Sequence, residues 1–201
     1  GSEMCIRDRS MGESVLNKYN LNRTIQQQDA PIYIYRAAEI HLMIAEALTA
    51  LGNYDAADAV LNDGFKPYYV SGNRYNPPFD APIYAFEKLK GGLGVRGRLN
   101  IPEVRSTDAR FMGDRNPETP EYAERRRVVL DSLIIEETAR ELAGEGKRWF
   151  TMMRIARNTD NPTMLARMVT RKFPVAEREA YAAKLEDPAN WFIDYDLELE
   201  N

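Results

Sequence analysis

The stretch RAAEIHLMIAEALTALGNYDAADAVLN, residues 36–62, decides the fold class of this chain. Its first part repeats small and apolar residues at helical spacing: Ala37, Ala38, His41, Ala45 and Leu48. Gly52 and Asn53 then supply a helix C-cap and a turn, and the helical pattern resumes from Tyr54 to about Asn62. The sequence therefore predicts two amphipathic helices, about 34–51 and 54–62, that form an antiparallel hairpin.

This hairpin matches the second half of a tetratricopeptide-like unit. Small residues occur where two helices approach each other, and a glycine, an aromatic residue and an alanine follow on the partner helix. Only one copy is visible, whereas a solenoid needs roughly three repeats to bury a continuous core. Other helices must therefore supply the neighbours of this hairpin.

Between about Gly64 and Glu121 the sequence changes character, with many prolines, clustered glycines and dense aromatic residues. It predicts a long irregular insertion, with a short strand or extended edge within residues 95–104. Irregular segments longer than about 15 residues are often functional. We expect a binding surface here, with these candidate ligand-binding aromatics: Tyr68, Tyr69, Tyr75 and Tyr84. The alternative is that these tyrosines only anchor the insertion to the helical scaffold.

Helical spacing returns at about residue 120 and continues to ELAGEGKRWF, residues 141–150. Each glycine inside a helix costs about 1 kcal/mol relative to alanine, so a turn or a close contact must explain Gly144 and Gly146. We expect the helix to end near Glu145 with Gly146 in a left-handed C-cap, and a second helix to begin at about residue 147. Gly144 is expected to let the second helix, or Trp149, approach the first helix closely. Glu145 would pair with Arg148 or with a cation from elsewhere in the chain.

Three further elements are expected after this corner. The spacing predicts that the second helix stops before Asn161-Pro162, and that short helices span about 163–168 and 176–185. Residues 190–196, NWFIDYD, are interpreted as a closing extended segment.

Composition excludes several classes of protein. The 201 residues are 44% hydrophobic and 29% charged, which is typical of one globular domain. A net charge of −4 and scattered basic residues argue against nucleic-acid binding. The single cysteine excludes an internal disulfide, and one histidine offers no metal pair, so neither a metal site nor a cofactor is expected. Residues 1–12, which begin with Gly-Ser as after tag cleavage, are interpreted as a disordered leader.

No catalytic residues are predicted. Glu141 and Glu145 lie four residues apart, a spacing compatible with the two carboxylates of a glycosidase, which stand about 5 to 10 Å apart. Neighbouring positions on a helix reach that separation without any catalytic purpose. The corner is better interpreted as a helix stop with a close crossing and a buried aromatic.

Two motifs in this order resemble the C-terminal half of the SusD/RagB family of outer-membrane lipoproteins. They are the hairpin of residues 36–62 and the later stretch IIEETARELAGEGKRWFTMMRIAR. The family's hallmark corner falls on these residues, which we interpret as structural: Arg140, Glu141, Leu142, Glu145, Gly146, Arg148 and Trp149. The resemblance covers roughly Pro31 to Asn201.

The resemblance implies a mainly α fold of tetratricopeptide-like hairpins with a long irregular insertion and little β structure. It also implies a non-catalytic receptor for oligosaccharide or peptide nutrients, which acts with a TonB-dependent SusC-like transporter. Such a protein is held at the outer surface of the outer membrane by a lipid anchor, which we expect to lie outside this sequence. The alternative function is a soluble tetratricopeptide-like adaptor that binds a protein partner in a helical groove.

Overall fold

A computed structural model of the protein describes residues 6–10, 13–17, 34–62, 95 and 101–192. The fold is mainly α, as the helical spacing predicts. The chain divides into two compact units, Gly1–Gly146 and Lys147–Asn201. Within the described ranges, no helix is both long enough and apolar enough to cross a bilayer.

The first unit opens with a β-hairpin. Strands β1, Ile6–Ser10, and β2, Glu13–Asn17, pair antiparallel with Ile6 opposite Asn17. Residues 6–10 were expected to belong to a disordered leader, and the structure instead gives them a strand. Only two residues, the second of them glycine, separate the strands in the sequence, a spacing that favours a hairpin.

The helical hairpin predicted from residues 36–62 is confirmed. Helix α1 spans Ala37–Ala50 and helix α2 spans Tyr54–Asn62, and the two pack against each other. Between them, Gly52 has a φ of 76°, a conformation that suits glycine, and the Asn53 N–H donates to the Leu48 carbonyl at 2.8 Å. The turn chemistry read from the sequence therefore sets the hairpin.

A short helix, α3 (Ala109–Met112), and a long one, α4 (Pro120–Glu141), complete the first unit. The N-terminus of α4 is capped by Thr119, whose hydroxyl accepts from the Tyr122 N–H, and proline occupies its first position. Helix α4 packs on both α1 and α2. Their shared core contains these buried residues: Ala45, Leu48, Ala56, Ala57, Val60, Leu61, Leu130, Leu133 and Ile134.

The second unit contains helices α5 (Lys147–Asn158), α6 (Pro162–Thr170) and α7 (Arg178–Leu185). Two 3₁₀ turns, Val175–Glu177 and Pro188–Trp191, flank α7. Its core is formed by these buried residues: Met152, Ile155, Ala156, Leu165, Ala166 and Trp191. The indole N–H of Trp191 donates to the Leu185 carbonyl at 2.7 Å, which fixes the second 3₁₀ turn to the end of α7.

Two predicted elements differ from the structure. Helix α6 is longer than the predicted 163–168, because Asn161 caps it and Pro162 starts it. The closing segment was expected to be extended from residue 190, but residues 188–191 form a 3₁₀ turn in which Asp187 accepts from the Ala189 N–H. Of the stretch 95–104, where a short strand or an extended edge was expected, the structure describes Val95, which is helical, and residues 101–104, which form no strand. Residues 96–100 lie outside the described residues.

A half-buried carboxyl, that of Asp131, lies on α4 near α1. Asp131 accepts a hydrogen bond from Arg127 at 3.2 Å, and Glu46 of α1 and Glu124 lie near it. Burial raises the pKa of Asp131 from its ordinary 3.8 to about 6; Arg127 opposes this shift, and the two glutamates add to it. The ionised form of Asp131 is therefore disfavoured in the folded protein.

We expect Asp131→Asn to stabilise the protein above about pH 6. The native state holds a proton that the unfolded state releases between about pH 4 and 6, so this contribution to stability falls as the pH rises through that window. The variant should match wild type near pH 4 and exceed it by on the order of 2 kcal/mol at about pH 7. Urea unfolding of both proteins across this range measures the difference, and a gap that does not change with pH would contradict the assignment.

Candidate functional site

The tyrosines proposed from the sequence to bind ligand, Tyr68, Tyr69, Tyr75 and Tyr84, lie outside the described residues. What the structure describes of the predicted insertion is Val95 and its C-terminal part, residues 101–121. We call this C-terminal part the returning segment. Three other features bring together charged or aromatic residues: the contacts that attach the returning segment to α2, the glycine corner, and a groove in the second unit.

The returning segment is fixed to α2 by a buried aspartate. Asp58 accepts from the Ser106 N–H at 2.8 Å, from the Ser106 hydroxyl at 2.6 Å and from an Arg126 guanidinium N–H at 3.1 Å. Arg126, on α4, also donates to the Ser106 hydroxyl and to Asp55. Burial raises the pKa of Asp58, while the Ser106 bonds and the charge of Arg126 act in the opposite direction. One carboxylate thus joins α2, the segment and α4.

One turn further along α2, Asn62 adds a second attachment. Its side-chain amide donates to the Val104 carbonyl at 3.0 Å and accepts from the Val104 N–H at 3.1 Å. The amide therefore pairs with the backbone as a neighbouring strand would. We call the residues that attach the segment the seat of the insertion: Asp58, Asn62, Val104, Ser106 and Arg126. No part of the sequence reasoning anticipated it, because its members lie far apart along the chain.

The glycine corner is held by Arg36, which stands just before α1. Its guanidinium binds both carboxylate oxygens of Glu145, at 2.8 and 3.1 Å. It also donates to the Glu141 carbonyl at 2.8 Å and approaches the Glu141 carboxylate at 3.4 Å. The two glutamates once considered as a glycosidase pair thus share one cation. Of the two partners expected for Glu145, the described contact is with a cation from elsewhere in the chain.

The backbone of the corner shows why both glycines are needed. Helix α4 ends at Glu141, four residues before the predicted end, and residues 142–146 form a turn. Gly144 and Gly146 have φ angles of 78° and 72°, so each takes the left-handed conformation that costs other residues about 1 kcal/mol or more. The left-handed Gly146 is as predicted, whereas Gly144 was assigned to a close approach and instead has a backbone reason.

Three other residues of the corner motif, Arg140, Arg148 and Trp149, differ in their contacts. Arg140 pairs with Glu136 and Glu137 on its own helix. Arg148 and Trp149 begin α5 in the second unit, and both are half-buried. The Nε of Arg148 is buried and makes no hydrogen bond within the described part of the chain.

The second unit contains a groove of about 550 Å³. Its apolar wall is formed by these residues: Phe150, Met153, Ala156, Pro162, Pro188, Trp191 and Phe192. Three charged residues also line it: Arg154, Arg157 and Asp160. This volume lies in the range of small-molecule sites, which is about 300 to 1,000 Å³. The groove was not predicted from the sequence, because its lining comes from three separate elements.

The described residues offer no metal centre: no group of three or more His, Cys, Asp or Glu side chains among them is placed to hold an ion. Their charged side chains are instead engaged largely in ion pairs between arginine and carboxylate. The ion pairs can hold backbone segments in place, and the groove has a volume that suits a small ligand.

These features define the class as a mainly α protein built on a tetratricopeptide-like hairpin, with an attached insertion. Residues 6–192 match the family model SusD_RagB, described as the SusD family, and the chain belongs to that family. The match extends further toward the N-terminus than the resemblance drawn from Pro31 onward. Neither a curated protein nor a solved structure matched the chain in the corresponding comparisons.

The SusD/RagB family consists of nutrient-binding proteins associated with glycan uptake, and they are binding proteins rather than enzymes. Its members are generally lipoproteins of the outer-membrane surface that work with SusC-like transporters.

The seat of the insertion gives a direct stability test. Asp58→Ala should cost about 3–5 kcal/mol, because it removes the buried partner of Arg126 and leaves the buried Ser106 N–H and hydroxyl without their acceptor. Asp55→Ala is the matched control: Asp55 binds the same Arg126, but its side chain is 74% exposed and that of Asp58 only 4%. The control should cost less than about 1 kcal/mol. Urea denaturation measures both.

If Asp58→Ala does not fold, Asp58→Asn keeps one acceptor and should cost about 1–3 kcal/mol. Equal effects at positions 55 and 58 would contradict the role given to Asp58.

Proposed function

We propose that this protein is a non-catalytic binding subunit for oligosaccharide or peptide nutrients and that it acts with a TonB-dependent, SusC-like transporter. The observation that carries the proposal is the family match over residues 6–192, which includes both the hairpin and the glycine corner. In this role the protein captures a ligand at the outer surface of the outer membrane and passes it to the transporter. The full-length protein would be held there by a lipid anchor.

The ligand is proposed to bind on the insertion, through Tyr68, Tyr69, Tyr75 and Tyr84. Aromatic rings offer flat apolar faces to sugar rings or to peptide side chains, and their hydroxyl groups can bond a ligand at the same time. The seat of the insertion supports this proposal. It fixes the returning end of the segment to two helices, and a binding surface needs a rigid base to remain organised.

The corner residues are assigned a structural role in this proposal: Arg140, Glu141, Glu145, Gly146, Arg148 and Trp149. The geometry around Arg36 favours that role, because the Glu145 carboxylate has both oxygens bound and Glu141 is almost fully buried. A general acid or nucleophile must instead reach a substrate directly.

Glycan and peptide arrays probed with the purified chain test this proposal. We expect binding to one class of oligosaccharide or peptide, weakened about tenfold by Tyr68→Ala or Tyr75→Ala through the lost aromatic contact. Tyr35→Ala is the control, since it removes an aromatic side chain that is 63% exposed and lies outside the insertion. Calorimetry on the best ligand quantifies the change.

Two outcomes would contradict the proposal. Turnover of a bound glycan would show an enzyme. Failure to bind any ligand, combined with a full-length gene that has no signal for lipidation and no neighbouring transporter gene, would favour the adaptor instead.

A further inference from the structure

We propose that the groove of the second unit is a binding site for an oligosaccharide that carries a carboxylate, such as an oligomer of uronic acids. The inference rests on the proposed function and adds to it a second site and a substrate class. None of its lining residues belongs to the insertion, since all of them lie between positions 150 and 192.

The groove is lined by exposed aromatic surface. Phe150 is 57% exposed and Phe192 is 67% exposed, although both line the groove. Trp191, beside Phe192, is only 6% exposed, and its indole N–H is bonded to the Leu185 carbonyl. The buried tryptophan therefore fixes the floor of the groove, while the two phenylalanines offer apolar surface to a ligand. Flat apolar faces suit the C–H face of a pyranose ring.

The groove is also lined by positively charged side chains. Arg157 is exposed, lines the groove, and makes no side-chain hydrogen bond or ion pair within the described ranges. Arg154, one helical turn earlier, lines the groove as well and donates to the Thr151 hydroxyl at 3.2 Å. Residues 147–192 contain nine Lys and Arg against five Asp and Glu, whereas the whole chain has a net charge of −4. A guanidinium fork matches a carboxylate, which points to an anionic ligand.

Asp160 lies at the turn between α5 and α6. It has a φ of 47°, in the left-handed region where helix ends usually place glycine or asparagine. Glycine would relieve this conformation but would remove the carboxylate that Asp160 contributes to the groove lining. Asp160, Arg154 and Arg157 all line the groove, and a carboxylate and two guanidinium groups supply both acceptor and donors for the hydroxyl groups of a sugar. An apolar ligand would use neither.

Calorimetric titration of the full chain with trigalacturonate tests the inference, with neutral maltotriose as the matched ligand. Trigalacturonate should bind at least about tenfold more tightly, through its carboxylates. Arg157→Gln should weaken trigalacturonate about tenfold and leave maltotriose unchanged. Phe150→Ala should weaken both ligands about fivefold, because it removes a stacking face.

Two control variants lie in the same unit but outside the groove lining. Arg167→Gln removes an exposed guanidinium from α6, and Tyr181→Ala removes an aromatic ring that is 40% exposed on α7. Neither should change the affinity for trigalacturonate by more than about twofold.

Three results would overturn the inference. They are no binding of trigalacturonate, equal affinity for both ligands, or binding that Arg157→Gln and Phe150→Ala leave unchanged. Binding that appears only after neutralising Asp194, Asp196, Glu198 and Glu200 would assign the groove to the chain's own acidic C-terminus, which also overturns it. Array binding that depends on Tyr68 and Tyr75 would still support the proposed function in each of these cases.

Discussion

The ion pair between Arg36 and Glu145 is the constraint on which the first unit depends. Arg36 precedes α1 and Glu145 lies in the turn after α4, so one guanidinium joins the beginning of one helix to the end of another across 109 positions. Gly144 and Gly146, both in the left-handed conformation, turn the backbone on either side of Glu145. The motif that identifies the family is therefore best understood as a joint of the scaffold.

Asp58 is a second fixed point of the first unit, because it also joins segments that lie far apart along the chain. It holds the segment that returns from the insertion, and Arg126 connects that segment to α4. Both fixed points place charged groups in or near the core, where a carboxylate is tolerated only with several partners. With these groups committed to structure, the surfaces that we propose for recognition are aromatic: the tyrosines of the insertion and the groove near Trp191.

The sequence predicted what depends on local chemistry and missed what depends on distant pairing. Helical spacing and the Gly52 turn are properties of neighbouring residues, so α1, α2 and the start of α5 were placed within about three residues. The end of α4 was placed four residues late, because the apolar pattern continues through Leu142 and Ala143 while the glycines have already ended the helix. Arg36, Asp58 and the groove required the fold, since no short spacing connects their partners.

The most direct test is a double-mutant cycle on the pair of Arg36 and Glu145. Arg36→Met, Glu145→Gln and the double variant are compared with wild type by urea unfolding. If one guanidinium and one carboxylate hold the corner together, the two substitutions should be non-additive, with a coupling of about 1–3 kcal/mol. Costs that add within about 0.5 kcal/mol would show that the two side chains contribute independently. That result would contradict the claim that this pair organises the corner.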